Sequence, residues 1–532
     1  MSLDLMAAAK QPSIFAASFR SMNSWADQRL PIALAGNEPY ICVEEFSSDM
    51  PDTGIFCGCS SLVRWNELSQ QNQRLPFVKP LQRCLVMALI CVCSSSMTRA
   101  QQVVRVTDAD AINPAEVSIA INPKNPDNIV AASFQTGRPP RPRSASYNYV
   151  SMDGGKTWKS IPVEDPKSLT QGDDAVYFGN DGAAYHAHLS FVGIRVARPQ
   201  RAESGILVEA SRDGGLTWNE SVPTINHINS VTPFEDKPGI VIDNAADSRH
   251  KGSVYLAWTR FDVYGVSDPE CHSQVYFSRS IDGGKTFSMP FRISDTGGDC
   301  RDSDNTVEGA VPAVGPKGEV YVVWAGPLGL IFKKSLDGGL TFSKDKVMGP
   351  MPGGWDFSVE GLDRANGMPV TAVDLSSGPN KGTLYVNWID ARNGDPDVFM
   401  SSSRDGGETW SAPVRVNDDP LKNGKVQFFT WMSVDPSDGS VNIVFYDRRD
   451  TEGAQTKLTL ARSVDGGHTF VNYQISQAPF VCDPKVFFGD YSGISAYDGR
   501  VVPIFMHFAE DRKLAVSVAL FHFKPGTQNR ID

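Results

Sequence analysis

Residues 403–410 read SRDGGETW, and five other segments repeat this pattern closely. They are SMDGGKTW at 151–158, SRDGGLTW at 211–218, SIDGGKTF at 280–287, SLDGGLTF at 335–342 and SVDGGHTF at 463–470. The shared aspartates recur every 55 to 69 residues and are Asp153, Asp213, Asp282, Asp337, Asp405 and Asp465. Self-similarity at this period predicts a repeat architecture in which each copy marks one structural unit.

The Asp-Gly-Gly segments have the composition of tight hairpin turns. Glycine adopts positive φ at little cost, as such turns require. The aspartate can accept hydrogen bonds from amides of its own turn, and the serine and threonine hydroxyls can join the same network. A catalytic group is needed once, whereas this aspartate occurs in six equivalent places. We therefore predict that the six aspartates are structural.

Short apolar runs flank every Asp-Gly-Gly turn and read as strands. Clear examples are VYLAW at 254–258, VYVVW at 320–324, LYVNW at 384–388 and VNIVF at 441–445. Each unit contains about four such runs, and no segment shows a helical period. The pattern predicts an all-β fold, a β-propeller with four antiparallel strands per blade, A to D, and the turn between C and D.

The tail of the repeat region indicates a seventh blade. Residues 489–521 repeat the first three strands and then end without a turn motif, whereas VVRVTDAD at 103–110 resembles the outer strand VRVNDDP at 414–420. Pairing the N-terminal and C-terminal strands in one blade would close the ring and remove its open edges. We predict seven blades closed in this way, with a six-bladed ring and a C-terminal appendage as the alternative.

The N-terminal part of the chain differs from the repeats. Lys79 and Arg83 precede an apolar run, and small polar residues follow it as far as Ala100. This order is typical of a secretory signal. We predict a leader of unknown structure or a mis-assigned start at 1–78, a signal peptide at 79–100, the propeller at 101–525 and a tail at 526–532. The protein is expected to be secreted, or held in the periplasm or cell envelope.

Composition narrows the choice of partners. The net charge of −11 and the pI near 5.3 disfavour nucleic acid and anionic membranes as ligands. No apolar run approaches the roughly 20 residues of a membrane-spanning helix. We expect a monomer without a membrane span. In an oxidising compartment Cys271 and Cys300, which fall in loops of one face, are expected to form a disulfide, leaving Cys482 unpaired.

Strand alternation predicts which face of the ring binds ligand. The A–B and C–D turns are short and share one face, whereas the variable B–C and D–A loops share the other. Two positional sets map to that second face. One follows the B strands and comprises Arg260, Asp390, Arg392, Asp447, Arg448, Arg449 and His507. The other begins the A strands and comprises Glu116, Asp174, Asp236, Lys237, Glu308, Gln427, Asp490 and Tyr491.

The Ser-x-Asp-Gly-Gly-x-Thr-Trp/Phe repeat resembles the Asp-box, or BNR repeat, of sialidases and other exported propellers. The chain is most similar to secreted bacterial sialidase-like proteins in five segments: Asp236-Lys237-Pro238, WIDARNGDPDV (388–398), QFFTW (427–431), FYDRRD (445–450) and GDYSG (489–493). The resemblance implies a glycoside hydrolase acting on an acidic, sialic-acid-type glycan.

Sialidases hold the sugar carboxylate with arginines and use a tyrosine nucleophile, a glutamate and an acidic proton donor. Carried over, the resemblance implies catalytic roles for Asp236, Glu308, Asp490 and Tyr491. It implies substrate binding by Arg260, Arg392, Arg448, Arg449, Lys237 and His507. Guanidinium groups suit such a clamp because they pair with carboxylates at two points.

Other interpretations of the same residues stay open. The propeller could bind glycans or proteins without catalysis, or it could be a polysaccharide lyase with His507 as base and Tyr491 as acid. The Asp390–Arg392 and Asp447–Arg449 pairs could be salt bridges between blades. No cofactor is expected, with calcium near Asp302, Asp304 and Glu308 as the alternative.

Overall fold

A computed structural model describes residues 32–35, 38–42, 62–64, 102–136, 143–165, 167–194, 199–475 and 478–531. By its contacts the chain divides into two units, residues 1–98 and 99–532. In the first unit, β1 (Ile32–Ala35), β2 (Glu38–Cys42) and β3 (Leu62–Arg64) form an antiparallel sheet. The predicted signal peptide, 79–100, lies outside the described residues, as does most of the predicted leader.

The second unit is a propeller of seven four-stranded antiparallel blades. Blade 1 contains β5 (Ala115–Ile121), β6 (Ile129–Gln135), β7 (Ala145–Ser151) and β8 (Lys159–Pro162). Blade 2 contains β9 (Thr170–Phe178), β10 (Ala184–Val192), β11 (Glu203–Ser211) and β12 (Val222–Ile228). Blade 3 contains β13 (Phe234–Ile242), β14 (Val254–Phe261), β15 (Ser273–Ser280) and β16 (Phe291–Arg292). Blade 4 contains β17 (Glu308–Val314), β18 (Val320–Gly326), β19 (Gly329–Ser335) and β20 (Lys346–Gly349).

A two-stranded hairpin, β21 (Asp356–Phe357) and β22 (Ala365–Asn366), follows blade 4. Blade 5 contains β23 (Val370–Val373), β24 (Leu384–Asp390), β25 (Asp397–Ser403) and β26 (Val414–Arg415). Blade 6 contains β27 (Gln427–Val434), β28 (Val441–Asp447), β29 (Gln455–Ser463) and β30 (Val471–Gln474), with β31 (Phe480–Val481) also pairing with β29. Blade 7 contains β32 (Gly493–Tyr497), β33 (Arg500–Phe508), β34 (Leu514–His522) and the N-terminal β4 (Gln102–Arg105).

The ring closes through blade 7, where β4 supplies the outer strand. Val104 pairs with Val518 and Arg105 with Ser517, so the two ends of the unit share one sheet. The prediction of seven blades closed by terminal strand pairing is confirmed, and the six-bladed alternative is wrong. The predicted tail packs on blade 6, because the Tyr473 hydroxyl donates a hydrogen bond to the Gln528 carbonyl at 2.9 Å.

The seven inner strands form a closed ring around a central channel of about 450 Å³. Serines link neighbouring inner strands. The Ser118 hydroxyl accepts the Val176 amide at 3.0 Å, and the Ser433 hydroxyl accepts the Ala496 amide at 3.1 Å. Fully buried aromatic residues on the second strands, among them Trp258 of blade 3, fill the space between blades. Burial of such side chains supplies most of the stabilising free energy.

The Asp-Gly-Gly turns join the third and fourth strands and are held by their own hydrogen bonds. In blade 5, Asp405 Oδ1 accepts the Ser403 hydroxyl at 2.7 Å and the Thr409 amide at 2.9 Å, while Oδ2 accepts the Thr409 hydroxyl at 2.6 Å. The two glycines, Gly406 and Gly407, have φ of 68° and 85°. The other five aspartates make the same bonds with the serine and threonine of their own turns.

Removal of one turn aspartate should affect stability and leave any activity intact. We expect Asp465→Ala to lower the free energy of unfolding by about 1 to 2 kcal/mol, because two hydroxyls and two amides lose their acceptor at the surface. Urea denaturation measures the change. A folded Asp465→Ala protein with a specific catalytic defect would contradict the structural role.

Cys271 and Cys300 form a disulfide, with Cα atoms 5.7 Å apart, and Cys482 is a buried free thiol. The bond joins the B–C loop of blade 3 to the following D–A loop across 29 residues. Replacement of both cysteines by serine is expected to lower the free energy of unfolding by roughly 3 to 4 kcal/mol, the loop-entropy cost at this length. The test compares denaturation of the oxidised protein with that of the double variant, and equal stability would contradict it.

Candidate functional site

The inner strands begin with irregular pairing that alters the direction of their first side chains. Register with the second strand shifts at Ala115–Ser118, Asp236–Gly239 and Glu308–Val311. Three residues at the start of inner strands have a left-handed backbone conformation: Glu116 (φ 55°), Asp173 (φ 52°) and Lys237 (φ 48°). Such φ values cost non-glycine residues about 1 to 3 kcal/mol, and they persist where a functional or packing constraint holds them.

Lys237 is the centre of the group of side chains that these strands bring together. Its ammonium lies 3.2 Å from Glu308 Oε1, 3.3 Å from Asp490 Oδ2 and 3.7 Å from Asp236 Oδ2. Only 3% of the Lys237 side chain is exposed. The contacts join blades 3, 4 and 7 at the face opposite the Asp-Gly-Gly turns, which is the face predicted to bind ligand.

Arg364 covers this group from the loop between blades 4 and 5. Its Nε and Nη2 donate to both oxygens of Asp490 at 2.7 and 2.5 Å, and its Nη1 donates to Asp302 Oδ2 at 3.0 Å. The Trp355 indole donates to the other Asp302 oxygen at 2.7 Å. Arg364 and Asp302 are the most exposed members, with 34% and 23% of their side chains accessible. They therefore form the mouth of the site.

Two further acidic residues lie beside Tyr491. Glu116 Oε2 accepts the Asp173 amide at 3.2 Å, and the Tyr491 hydroxyl lies 3.5 Å from Asp173 Oδ1. Tyr491 packs against Trp431, with ring centroids 5.7 Å apart. Hereafter the carboxyl cluster means these six acids with their two cations: Glu116, Asp173, Asp236, Asp302, Glu308, Asp490, Lys237 and Arg364.

The carboxyl cluster holds six acids against two cations, so burial and the neighbouring carboxylates favour the protonated form of several of its acids. Burial, reinforced by nearby carboxylates, raises the pKa of Asp173, Asp236 and Glu308 well above the usual range, although Lys237 opposes the shift. Burial and the Asp490 carboxylate raise the pKa of Glu116 to about 7. Burial would lower the pKa of Lys237, but the carboxyl groups of Asp236, Glu308, Asp490 and Asp302 raise it, so the lysine stays charged.

Asp302 has the opposite protonation state. Burial alone would raise its pKa, but Lys237 and Arg364, with the Trp355 hydrogen bond, lower it to about 2. Glu308 Oε2 has no hydrogen-bond donor among the described residues, and burial and the nearby Asp302 carboxyl raise the pKa of Glu308. An acid whose pKa is raised therefore lies beside one whose pKa is lowered, as general acid–base chemistry requires.

Three of the predicted binding arginines form ion pairs away from the cluster. Arg260 Nε lies 2.8 Å from Glu235 and its guanidinium stacks 3.7 Å above the Tyr276 ring. Arg392 Nε lies 2.9 Å from Asp390. Arg449 Nε lies 2.5 Å from Asp447, and Arg449 also contacts Asp418 in the loop that follows blade 5. The Asp390–Arg392 and Asp447–Arg449 pairs are therefore salt bridges, but each lies within one blade and not between blades as the sequence interpretation had it.

Three other predicted residues have partners of their own. Arg448 donates to the Glu360 carbonyl at 2.7 Å and to the Thr456 hydroxyl at 3.0 Å. Gln427 donates to Asp447 at 3.2 Å. His507 Nε2 lies 2.8 Å from the Ser517 hydroxyl, and burial lowers the pKa of this histidine to about 4. The structure brings Asp236, Lys237, Glu308, Asp490 and Tyr491 together, and it places His507 apart from them.

The described residues contain no group of three or more histidine, cysteine or acidic side chains arranged to hold a metal ion. Within the same residues, no helix has the length and apolar character needed to cross a membrane. Of the residues that the sequence suggested as calcium ligands, Asp302 contacts Arg364 and Glu308 contacts Lys237.

A second buried polar network lies in blade 2. His186 Nε2 lies 2.8 Å from Asp174 Oδ1 and its Nδ1 lies 3.2 Å from Glu209 Oε2, so both nitrogens face carboxylates. His188 Nε2 lies 3.0 Å from Glu209 Oε1. Burial would lower the pKa of His186, but Asp174 and Glu209 raise it to about 9. The network thus explains why Asp174 does not join the carboxyl cluster.

This network should make stability fall at alkaline pH. The pKa of His186 rises from 6.5 to about 9 on folding, so its contribution is fully present below about pH 6.5 and is lost as pH rises through 9. We expect the melting temperature of the wild type to decrease over that range more steeply than that of His186→Gln. Parallel pH profiles for the two proteins would refute the assignment.

No protein-family model matches the sequence, and no curated protein matches it. Solved structures with a similar fold include a protein of unknown function from Dyadobacter fermentans, with 15% identity over 67% of this chain and 96% of that one and a TM-score of 0.43. A Hadza microbial sialidase shares 15% identity over 71% and 73% of the chains, with a TM-score of 0.44. An ulvan lyase shares 14% identity over 79% and 96%, with a TM-score of 0.43. These similarities concern the fold alone and assign no activity.

Proposed function

We propose that this protein is an exported glycoside hydrolase that acts at the carboxyl cluster. The observation that supports the proposal is a pair of acids in the cluster whose pKa values shift in opposite directions. Burial and Asp173 raise the pKa of Asp236, which favours its protonated form, whereas Lys237 and Arg364 lower the pKa of Asp302 and keep it ionised. Glycoside hydrolysis needs one carboxylic acid and one carboxylate in this relation. Lys237 favours the ionised form of both acids, because it contacts Asp236 and lowers the pKa of Asp302. Burial and Asp173 outweigh this effect at Asp236.

In the proposed reaction, Asp236 donates its proton to the glycosidic oxygen while the bond from that oxygen to the anomeric carbon breaks. Asp302 accepts a proton from the water whose oxygen bonds to the anomeric carbon. Each carboxyl group then returns to its starting state by exchange with solvent. Tyr491 is not required as nucleophile, because burial raises its pKa well above the usual range and keeps the hydroxyl neutral.

An acidic sugar is the proposed substrate class. Arg364 is the cation at the mouth, and about a third of its side chain is accessible although Asp490 and Asp302 occupy several of its N–H groups. A guanidinium in this position can orient a sugar carboxylate by hydrogen bonds. Arg364 is also paired with carboxylates, but it lies over the carboxyl cluster and is more exposed than Arg260, Arg392 and Arg449, which makes it the better candidate for this contact.

The test is incubation of the purified protein with a panel of acidic and neutral oligosaccharides. The proposal expects new reducing ends without unsaturated sugars, from acidic members of the panel. Equal amounts of reducing ends and unsaturated products would show a lyase and contradict the proposal. Binding without any product would show a non-catalytic glycan-binding propeller and contradict it as well.

A further inference from the structure

We propose that Arg448 is a positioning residue that acts through the segment 350–366, hereafter the Arg364 loop, and so sets the place of Arg364 over the carboxyl cluster. Arg448 belongs to blade 6, whereas the loop connects blades 4 and 5. The catalytic consequence rests on the proposed function, but the mechanical link between Arg448 and the loop does not.

The base of the Arg364 loop is attached to its surroundings by hydrogen bonds near both ends. The Ala391 amide donates to the Pro352 carbonyl at 2.7 Å, and the Asp356 amide donates to Asp304 Oδ1 at 2.9 Å. At the other end, the Asn366 amide group donates to the Asp490 carbonyl at 3.1 Å. The pairing of β21 with β22 brings these two ends together. The crest between them, residues 358–363, immediately precedes Arg364.

Arg448 contacts the crest from blade 6. Its Nη2 donates to the Glu360 carbonyl at 2.7 Å, and Thr456 accepts its Nε at 3.0 Å. The guanidinium lies 5.5 Å from the centroid of the Phe428 ring. Only 4% of Arg448 is exposed. The Arg448 side chain is therefore held by Thr456 on one side and by the crest on the other, and its guanidinium group points at the Glu360 carbonyl.

The charge of Arg448 is unusual for a buried residue. Among the described residues it has no ion pair with a carboxylate, whereas its neighbour Arg449 pairs with Asp447 and Asp418. A buried guanidinium without a counter-ion is unfavourable unless hydrogen bonds compensate it. The Glu360 carbonyl is one of those compensating acceptors, so movement of the crest would leave the cation less well satisfied. The two groups therefore hold each other in place.

A shift of the crest would change the site, because Arg364 follows it directly and contacts both Asp490 and Asp302. Arg364 is one of the two cations that lower the pKa of Asp302. A displaced Arg364 would leave Asp302 less acidic and the sugar-binding guanidinium out of place. Arg448 thus influences the chemistry without touching the substrate.

Hydrogen–deuterium exchange of the full protein tests the mechanical link without any substrate. In Arg448→Met we expect amides of residues 358–364 to exchange about tenfold faster, the effect of losing one hydrogen bond from a charged donor. Arg449→Met is the matched control, because it removes the neighbouring arginine and should leave the loop unchanged. Unchanged exchange in the Arg448 variant, or equal acceleration in both variants, would overturn the proposal. If the methionine variant does not fold, Arg448→Lys can be compared with Arg449→Met instead. The lysine keeps the positive charge but lacks the planar guanidinium group that donates to both acceptors.

The pH dependence of turnover provides the second readout. Arg448→Met is expected to move the acid limb of the kcat profile to higher pH, because Asp302 becomes easier to protonate, while Arg449→Met leaves it in place. The positioning role would be refuted if Arg448→Met remained active and its loop exchanged faster, but the acid limb of its kcat profile stayed at the wild-type pH. A loosened loop in a protein that processes no glycan would support the mechanical link and count against the proposed function.

Discussion

Replacement of Asp302 by asparagine should abolish most of the glycan turnover and leave the fold intact. The amide is similar in size, and its one oxygen can still accept from either Arg364 or Trp355, which donate to the two Asp302 oxygens at 3.0 and 2.7 Å. It cannot accept a proton from water, however, and loss of a general base typically lowers kcat by about 10²- to 10⁴-fold. We therefore expect a decrease of that size in kcat with KM nearly unchanged.

The matched control for Asp302→Asn is Asp450→Asn. Asp450 is an exposed acid in the B–C loop of blade 6, on the same face as the site. Its replacement changes the net charge equally and should leave kcat within about twofold of wild type, because surface charges at a distance act weakly. Comparable kcat values for Asp302→Asn and the wild type would remove Asp302 from the reaction.

The largest expected effect on stability belongs to Lys237. Replacement by methionine keeps the side-chain length but removes the ammonium that lies within 3.7 Å of Asp236, Glu308 and Asp490 and that helps to keep Asp302 ionised. Loss of one partner from a buried ion network typically costs about 3 to 5 kcal/mol. We expect a decrease of that size in the free energy of unfolding at neutral pH. The decrease should be smaller at acid pH, because protonated carboxyls need no counter-ion.

Lys381→Met is the control for this measurement, with stability determined by urea denaturation. Lys381 lies 3.5 Å from Asp247, but both side chains are about half exposed or more, so the pair should contribute less than about 1 kcal/mol. A Lys237→Met protein as stable as Lys381→Met at neutral pH would show that the carboxyls do not depend on Lys237. The ion network described here would then be wrong.

The repeats explain why so much of the fold could be predicted from the sequence. The spacing of the Asp-Gly-Gly turns defines the units, and the similarity of residues 103–110 to an outer strand indicates ring closure. The same alignment locates the start of each inner strand, which is how Asp236, Lys237 and Glu308 could be identified. Periodicity is informative here because equivalent positions in every blade lie at the same distance from the axis.

Residues outside the repeat pattern escaped prediction. Arg364 lies in a connection that has its own hairpin, which has no counterpart among the described residues of the other blades, so no alignment places it over the inner strands. Asp173 and Asp174 are adjacent, and only the left-handed backbone at Asp173 decides which of them meets the cluster and which meets His186. For Arg392, the sequence offered both substrate binding and a salt bridge with Asp390, and periodicity alone could not decide between them.

The central claim is that acids of opposite protonation state lie together in the carboxyl cluster at neutral pH. Difference infrared spectroscopy in the carboxylic-acid C=O stretching region tests it directly, since only protonated carboxyls absorb there. Subtraction of the Asp236→Asn spectrum from that of the wild type should reveal a carboxylic-acid band, and the corresponding Asp302→Asn subtraction should reveal the loss of a carboxylate band. The account would be contradicted if Asp236 contributed no carboxylic-acid band at neutral pH. It would also be contradicted if Asp302 contributed such a band.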